Sequence, residues 1–159
     1  MREELLRIIE NNSRIDVKEL SMMLNVSEVD ILNELSNLEK ENIICGYFTL
    51  IDWEKTSVEK VIALIEVRVT PQRGQGFDRI AERIYNYPEV KSVYLISGGY
   101  DLLVILEEKS LREIASFVSN KLSTVESVLS TATHFILKKY KDNGTILDKK
   151  HKDEREALS

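Results

Sequence analysis

The chain has 159 residues, of which 43% are hydrophobic and 31% are charged, and its formal net charge is −5. This composition is typical of one ordinary globular domain or two small ones, and the negative charge gives no general attraction to nucleic acid or to an anionic membrane. Cys45 is the only cysteine, which excludes an internal disulfide and favours a reducing compartment. Without an apolar run of membrane-spanning length or a signal-peptide pattern, the sequence predicts a cytoplasmic protein.

The first third of the chain predicts three helices. Residues 2–11 carry apolar side chains at helical spacing, Asp16 is a suitable N-cap for a second helix, and Ser27 opens a third. Asn42 is expected to end the third helix in the left-handed conformation, and residues 45–51 are expected to form a strand. Two short helices, a tight turn and a longer helix make a helix-turn-helix pattern. The apolar side chains expected to face inward on the second and third helices are Leu20, Met23, Leu24, Val29, Leu32, Leu35 and Leu38.

Charge opposes a DNA-binding role for this pattern. Residues 1–50 contain five basic and ten acidic residues, and the third helix holds five of the acids and only Lys40 as a base. DNA affinity depends on Lys and Arg side chains that neutralise phosphates, so this helix is expected to be repelled. Glu34→Arg is therefore expected to strengthen binding, and a packing module without a DNA role is the alternative. The polar side chains that the helix offers to DNA are Ser27, Asn33, Asn37 and Lys40.

The remainder of the chain predicts a ferredoxin-like domain. Residues 53–60 are mostly polar and lead into a first strand at 61–69. The predicted order from there is strand, helix, strand, strand, helix, strand, the split βαβ arrangement in which two helices cover one face of a four-stranded antiparallel sheet. The helices are expected at 77–88 and after a capping box at 110–113, and the last strand is expected at 129–140. The predicted fold class is therefore α+β.

A Gly98-Gly99 pair separates two runs that are apolar on both faces. Such a pair predicts a two-residue hairpin turn, because both glycines can adopt positive φ without steric cost. A strand that is apolar on both faces must be covered on both. We therefore expect a second copy of the chain to pack against the sheet face that carries Tyr94 and Ile96.

The sequence predicts neither an enzyme nor a bound cofactor or metal. His134 and His151 are the only histidines, and the chain lacks a nucleophile elbow, a phosphate loop and a dinucleotide fingerprint. The best site candidate is Gly98 to Asp101, where glycine amides suit a carboxylate and Asp101 suits an ammonium group, the two charges of a free α-amino acid. The alternatives are that Asp101 only stabilises its own turn, or, remotely, that it works with His134 in catalysis.

Three segments carry a resemblance to the leucine-responsive/asparagine-type (Lrp/AsnC) transcriptional regulators, namely 39–47, 97–103 and 131–141. The resemblance covers residues 2–147 and implies a winged helix-turn-helix joined to a βαββαβ ligand-sensing domain. It also implies dimers formed through the sheet domain, often assembled into tetramers or octamers, and an amino acid bound between dimers. The effector-binding residues that it implies are Gly98, Gly99, Tyr100, Asp101, Thr131 and Thr133.

Two positions depart from the family pattern. Asn33-Glu34 replaces a basic residue in the middle of the recognition helix, which weakens the expectation of DNA binding, and Asn42 replaces a glycine whose backbone shape asparagine also accepts. We expect an oligomeric transcriptional regulator that responds to a small molecule, with a sensing module that no longer reads DNA as the alternative. The predicted limits are 1–52 for the helix-turn-helix, 53–60 for the linker, 61–141 for the effector-binding and oligomerisation domain, and 142–159 for a charged, solvated tail.

Overall fold

The computed structural model describes residues 1–71 and 73–148. The chain divides into two compact units, the first comprising Met1–Leu50 and the second beginning at Ile51. Each unit has its own hydrophobic core. None of the described helices is both long and apolar enough to cross a lipid bilayer. The end of the predicted tail, including His151, lies outside the described residues.

The first unit contains the three predicted helices, α1 (Arg2–Asn11), α2 (Val17–Leu24) and α3 (Glu28–Lys40). The carboxylate of Asp16 and the hydroxyl of Ser27 each accept a hydrogen bond from a backbone amide of the following first turn, at 2.6 and 3.1 Å. Both predicted N-caps are therefore confirmed. Asn25 and Asn42 adopt the left-handed conformation after α2 and α3, with φ of 52° and 55°, so the turn and the helix end form where the sequence predicts them.

The core of this unit selects one of two apolar rows on α3. The fully buried residues are Leu5, Leu20, Ile31 and Leu38. The prediction that Met23, Val29 and Leu32 face inward is wrong, because these side chains are 57, 65 and 54% exposed. The predicted inward row was 29, 32, 35 and 38. The row that packs in the core is 31, 35 and 38, which shares its last two positions with the predicted one.

Residues 45–51 do not form the predicted strand. Their backbone makes no hydrogen bond to other backbone groups of the described chain. A strand is stable only beside another strand that shares its amides and carbonyls, and the described sheets do not extend to this segment. Phe48 is consequently 88% exposed.

The second unit is a four-stranded antiparallel sheet with two helices, in the predicted order. The strands lie side by side in the order β2-β3-β1-β4, which is the ferredoxin-like arrangement and confirms the α+β class. The elements are β1 (Val61–Val69), α4 (Asp78–Tyr85), β2 (Val90–Leu95), β3 (Leu102–Glu108), α5 (Leu111–Asn120) and β4 (Val128–Phe135), with short 3-10 turns at Trp53–Lys55 and Leu122–Thr124.

One face of the sheet packs against both helices. Alternate residues of β1, namely Ala63, Ile65 and Val67, are fully buried in one core with Ile84 of α4 and Ile114 of α5. Side chains alternate between the two faces of a strand. The intervening residues of the same strands therefore lie on the face that the helices leave open.

Two elements and the tail differ from their predicted extents. β4 ends at Phe135 and α4 at Tyr85, each short of its predicted limit. The first residues of the predicted solvated tail instead form a small hairpin of β5 (Lys141–Asp142) and β6 (Thr145–Ile146). Its turn, Asn143-Gly144, has φ of 43° and 76°, the left-handed values that favour a type I′ turn. Turn chemistry thus orders residues whose charge suggested a solvated extension.

The connection between β2 and β3 is longer than predicted. Neither Gly98 nor Gly99 has positive φ, so the expected two-residue turn is wrong. The strands are joined instead over residues 96–101, where the amide of Ile96 donates to the carbonyl of Asp101 at 2.8 Å. The glycines lie exposed within this longer connection rather than closing a tight turn.

A pH-dependent contribution to stability comes from Glu89, which lies directly before β2 and forms an ion pair with Lys121 after α5. The hydrogen bond from Lys121 lowers the pKa of Glu89, against an opposing effect of burial. A carboxyl group whose pKa is lower in the folded state stabilises the fold above its ordinary pKa. That contribution is lost as the pH falls through the folded-state value.

We therefore expect Glu89→Gln to reduce the free energy of unfolding at neutral pH by at most about 1 kcal/mol. The difference from wild type should shrink in thermal denaturation as the pH falls below the ordinary pKa of a glutamate, because Glu89 itself becomes protonated as the pH passes through its lowered folded-state pKa. Glu126→Gln is the matched control, since Glu126 is more exposed and lies 3.5 Å from Arg83. A difference between Glu89→Gln and wild type that stays constant with pH would contradict the assignment.

Candidate functional site

α3 presents a continuous row of side chains on the side away from the core. At 3.6 residues per turn, Val29, Asn33, Ser36 and Lys40 follow one another along this side. The fully buried residues of α3 lie on the opposite side, and every member of this outer row except the half-buried Ser36 is exposed. The outer row contains no carboxylate. It is therefore the surface of α3 on which a polyanion meets the least repulsion.

The predicted DNA contacts lie on or beside the outer row. Asn33 and Lys40 belong to it, and Asn37 is exposed next to it. Ser27 lies at its N-terminal end, where its hydroxyl accepts from the amide of Asp30 at 3.1 Å and donates to the carboxylate of Asp30 at 2.6 Å. The structure thus brings three of the four residues to one exposed surface, while Ser27 is engaged in capping.

Most of the acidic groups near α3 are held by neighbours outside the outer row. Glu41 and Glu34 accept hydrogen bonds from Arg2 of α1 at 2.7 and 2.6 Å, and these bonds raise the pKa of Arg2. Glu39 accepts from the hydroxyl of Tyr47 at 2.9 Å, and burial together with this bond raises the pKa of that hydroxyl. These acids therefore form contacts within the first unit. Because they lie outside the outer row, they repel DNA less directly than their number suggests.

The prediction that Glu34→Arg strengthens DNA binding assumes that the carboxylate of Glu34 repels DNA from an exposed position, and the structure contradicts this assumption. The side chain of Glu34 is only 19% exposed and pairs with Arg2. An arginine at this position would place two guanidinium groups side by side and would break the ion pair between α1 and α3. Asn33, which is exposed on the outer row, is the position where an added positive charge would leave this ion pair intact.

The face of the sheet that the helices leave open is largely apolar. In the pairing register, Tyr94, Leu103, Glu66 and Ala132 form one row across the four strands. Ser92, Ile105, Leu64 and His134 form the next row. The ionisable members Glu66 and His134 lie 3.4 Å apart, Oε1 to Nε2. We call these two rows the open sheet face, and Ile96, which was predicted on it, lies beyond the end of β2.

Asp101 ties the β2–β3 connection to the end of β1. Its amide donates to the carbonyl of Val67 at 3.1 Å, and its Oδ2 accepts from the amide of Val69 at 2.9 Å. The carboxylate therefore serves the neighbouring strand, so the alternative that it only stabilises its own turn is wrong. Oδ1 has no hydrogen-bond partner among residues 1–71 and 73–148. Gly98 and Gly99 are exposed beside it in the chain, and Tyr100 is half-buried.

The two predicted threonines approach β1 from the other side. Thr131 is paired with Val67 and Thr133 with Ile65, whereas Asp101 reaches β1 from the side of β3. Two strand spacings, roughly 10 Å, separate the backbones of β3 and β4. Within one chain the predicted effector residues therefore flank the end of β1 rather than converging on one point.

Comparison with known proteins identifies the family. Residues 62–146 match the model described as the Lrp/AsnC ligand binding domain. The chain belongs to the Lrp/AsnC family of transcriptional regulators. It is 47% identical over 157 residues to the HTH-type transcriptional regulator YugG of Bacillus subtilis, covering 98% of this chain and 95% of that protein. It is 27% identical over 135 residues to the Bkd operon transcriptional regulator of Pseudomonas aeruginosa, covering 85% and 88%.

This Lrp/AsnC member is also similar to solved structures. The transcriptional regulator NMB0573 of Neisseria meningitidis, crystallised as a complex with L-Met, has a TM-score of 0.68 at 25% identity, over 89% of this chain and 90% of that one. AsnC of Escherichia coli has a TM-score of 0.66 at 19% identity, over 87% and 91%. The resemblance predicted from three short segments is thereby confirmed, and the fold is shared along nearly the whole described chain.

Sequence reasoning missed two features of this Lrp/AsnC member. Val29 and Leu32 were predicted to lie in the core. Val29 comes four residues before the polar Asn33, and this spacing places Val29 and Asn33 on the same side of the helix. The pairing of Arg2 with Glu34 joins residues 32 positions apart, and no local pattern announces it. The exposed position of Val29 could have been predicted from its spacing, whereas the ion pair of Arg2 with Glu34 depends on how α1 packs on α3.

Proposed function

We propose that this Lrp/AsnC member regulates transcription by binding DNA through α3 as a homo-oligomer and by responding to an amino acid. The observation that carries the proposal is the outer row of α3, which is exposed except at the half-buried Ser36, contains no carboxylate and ends in Lys40. In this proposal residues 1–52 bind DNA, 53–60 are the linker, 61–141 bind the effector and assemble, and 142–159 are a charged C-terminal tail.

The side chains of the outer row have the chemistry of base and phosphate contacts. Asn33 and Asn37 are exposed, and an asparagine amide can pair with the N6 and N7 atoms of adenine in the major groove. Lys40 supplies positive charge for a phosphate. Ser27, at the N-terminal end of α3, contacts a phosphate in this proposal while it continues to cap the helix.

The open sheet face supports assembly. It carries Leu64, Leu103 and Ile105 at the centre of the sheet, on the side opposite the helices. A contiguous apolar face of this kind on a folded chain marks an interaction surface. A second copy that packs sheet on sheet would bury it and would give a two-fold dimer. Several α3 helices held in one oligomer would then engage one DNA molecule together, which raises affinity through effective concentration.

The effector proposal rests on the β2–β3 connection and on the similarity to NMB0573. That protein was crystallised with L-Met, which supports an amino acid as the class of ligand. In this chain Gly98 and Gly99 are exposed and their amides suit a carboxylate, while Oδ1 of Asp101, which has no hydrogen-bond partner in the described part of the chain, suits an ammonium group. Tyr100, Thr131 and Thr133 complete the proposed set. Because the threonines flank β1 from the other side, we propose that a neighbouring chain brings the two halves together.

A sensing module without DNA binding is the second candidate, because the first unit carries more acidic than basic residues and nonspecific DNA affinity depends on positive charge. Selection of bound duplexes from a random-sequence pool by the full chain separates the two. Enrichment of a common sequence supports the regulator, and no enrichment at low salt supports the sensing module.

Lys40→Ala is expected to weaken binding to the selected duplex uniformly across sequences and to reduce the slope of log affinity against log salt by about 1, the loss of one phosphate contact. Fluorescence anisotropy over a range of salt concentrations measures both. Lys109→Ala, an exposed lysine between β3 and α5, is the matched control. An unchanged slope in Lys40→Ala would show that Lys40 does not contact a phosphate.

A further inference from the structure

Two apolar side chains of α3 are unexplained by the core. Val29 and Leu32 are 65% and 54% exposed. They are three residues apart, so they lie on the same side of the helix. Val29 belongs to the outer row, and Leu32 directly precedes Asn33 in the sequence. The N-terminal half of the proposed DNA-contacting surface therefore combines an apolar pair with the amide of Asn33, and the exposed acids Glu28 and Asp30 of the first turn lie on either side of it.

This combination matches the edge of one kind of base pair. In the major groove an A·T pair presents the N6 and N7 atoms of adenine and the C5-methyl group of thymine. The amide of Asn33 suits the adenine atoms, and a branched aliphatic side chain suits the methyl group. Guanine is read most often by arginine or lysine, and the outer row carries neither before Lys40 at its C-terminal end.

We infer that Val29 and Leu32 read thymine methyl groups, so that the operator presents A·T pairs to the N-terminal half of α3. The inference rests on the proposed DNA binding and names its specificity. A G·C pair at the same step would set the two aliphatic side chains against polar edges and would offer no methyl group. Discrimination then comes from apolar contact together with Asn33, without a basic residue.

A protein partner is the competing occupant, because Met22 and Met23 of α2 are also exposed. The neighbours of Val29 favour DNA over a protein. Asn33, Ser36 and Lys40 continue the row with hydrogen-bonding and positively charged groups, whereas the centre of a protein interface is depleted of lysine and serine. Two aliphatic side chains beside an amide suffice for base contacts and provide little area for a stable protein interface.

Thymine-to-uracil substitution tests the inference directly, because it removes only the methyl group and leaves base pairing intact. The full chain is used to select a duplex from a random-sequence pool, and each thymine of that duplex is then replaced singly by uracil. At one or two positions of each half-site we expect affinity to fall about 3- to 5-fold, the effect of one lost buried methyl group. Thymines elsewhere in the duplex should be insensitive.

Variants assign each methyl group to a side chain. Leu32→Ala should bind the thymine duplex more weakly and should lose its sensitivity to uracil at one position, and Val29→Ala should do the same at another. This loss of sensitivity is the coupling that a double-mutant cycle measures. Both side chains are exposed, so neither change removes a core contact. Leu111→Ala, an exposed leucine of α5, is the control and should keep the full uracil response.

The outcomes distinguish this inference from the function on which it rests. Binding that is indifferent to uracil at every position, or selected half-sites with G·C pairs under α3, would overturn thymine reading and leave DNA binding intact. Uracil sensitivity that persists unchanged in both Leu32→Ala and Val29→Ala would assign the methyl contacts to other residues and would overturn the inference too. Failure of the full chain to enrich any duplex would overturn the proposed DNA binding and the inference with it.

Discussion

Ile105→Asp is expected to convert the oligomer into a folded monomer. Ile105 lies on β3, paired with Leu64 on one side and Ser92 on the other, in the centre of the open sheet face. An aspartate there would be buried without a partner in a sheet-on-sheet dimer. In the isolated chain Ile105 is half-buried, so the same aspartate there keeps part of its contact with water. Assembly is therefore penalised by several kcal/mol while the fold itself is largely spared.

Light scattering at low micromolar concentration measures the effect. Wild type should have at least twice the chain mass of 18.3 kDa, and Ile105→Asp should have the chain mass itself. Leu111→Asp is the matched control, because Leu111 is an exposed apolar residue of α5, away from the open sheet face. A monomeric wild type, or a variant that stays oligomeric, would refute assembly through this face. Ile96 is a poorer probe because it lies in the 96–101 connection.

Asp101→Asn is expected to abolish the response to the amino-acid effector with little loss of stability. The amide oxygen of asparagine can replace Oδ2 as the acceptor for the amide of Val69, but the negative charge that would bind an ammonium group is lost. Asp101→Ala is less informative. It would leave the amide of Val69 without its acceptor, at a cost of roughly 1–3 kcal/mol, so that loss of binding and loss of folding would be confounded.

Thermal denaturation against the twenty amino acids measures this response. An effector at about 100 times its dissociation constant should add about 2.7 kcal/mol to the stability of wild type, and Asp101→Asn should gain almost nothing. Asp78→Asn, an exposed acid in the first turn of α4, should respond as wild type does. If Asp101→Asn and wild type were stabilised equally by the same amino acid, the effector would bind elsewhere.

Local signals predicted most of the secondary structure. The caps at Asp16 and Ser27 and the left-handed Asn42 depend on residues at most a few positions away, and all three form as expected. The order of elements after residue 60 was also sufficient to predict the sheet topology, because connections between strands and helices in a split βαβ unit follow few rules.

The failures depend on contacts between distant parts of the chain. Which apolar row of α3 enters the core depends on how α1 and α2 pack on it, and residues 45–51 lack a strand because no described strand lies beside them. The candidate site shows the same division. The Gly98 to Asp101 segment was found from its local chemistry, whereas Thr131 and Thr133 came from the family resemblance. The contact of Asp101 with Val69 required the strand register.

The ion pairs of Arg2 with Glu34 and Glu41 affect how the salt dependence of DNA binding is interpreted. These ion pairs are partly accessible to solvent through Arg2 and Glu41, and they connect α1 to the helix proposed to contact DNA, so added salt screens them as well as the phosphate contacts. A steep salt dependence in this protein would then combine ion release from DNA with loosening of α3. The slope of log affinity against log salt would overestimate the number of phosphate contacts. Wild type and Lys40→Ala both contain the Arg2 ion pairs, so the loosening of α3 cancels in the difference between their slopes. That difference measures only the phosphate contact of Lys40.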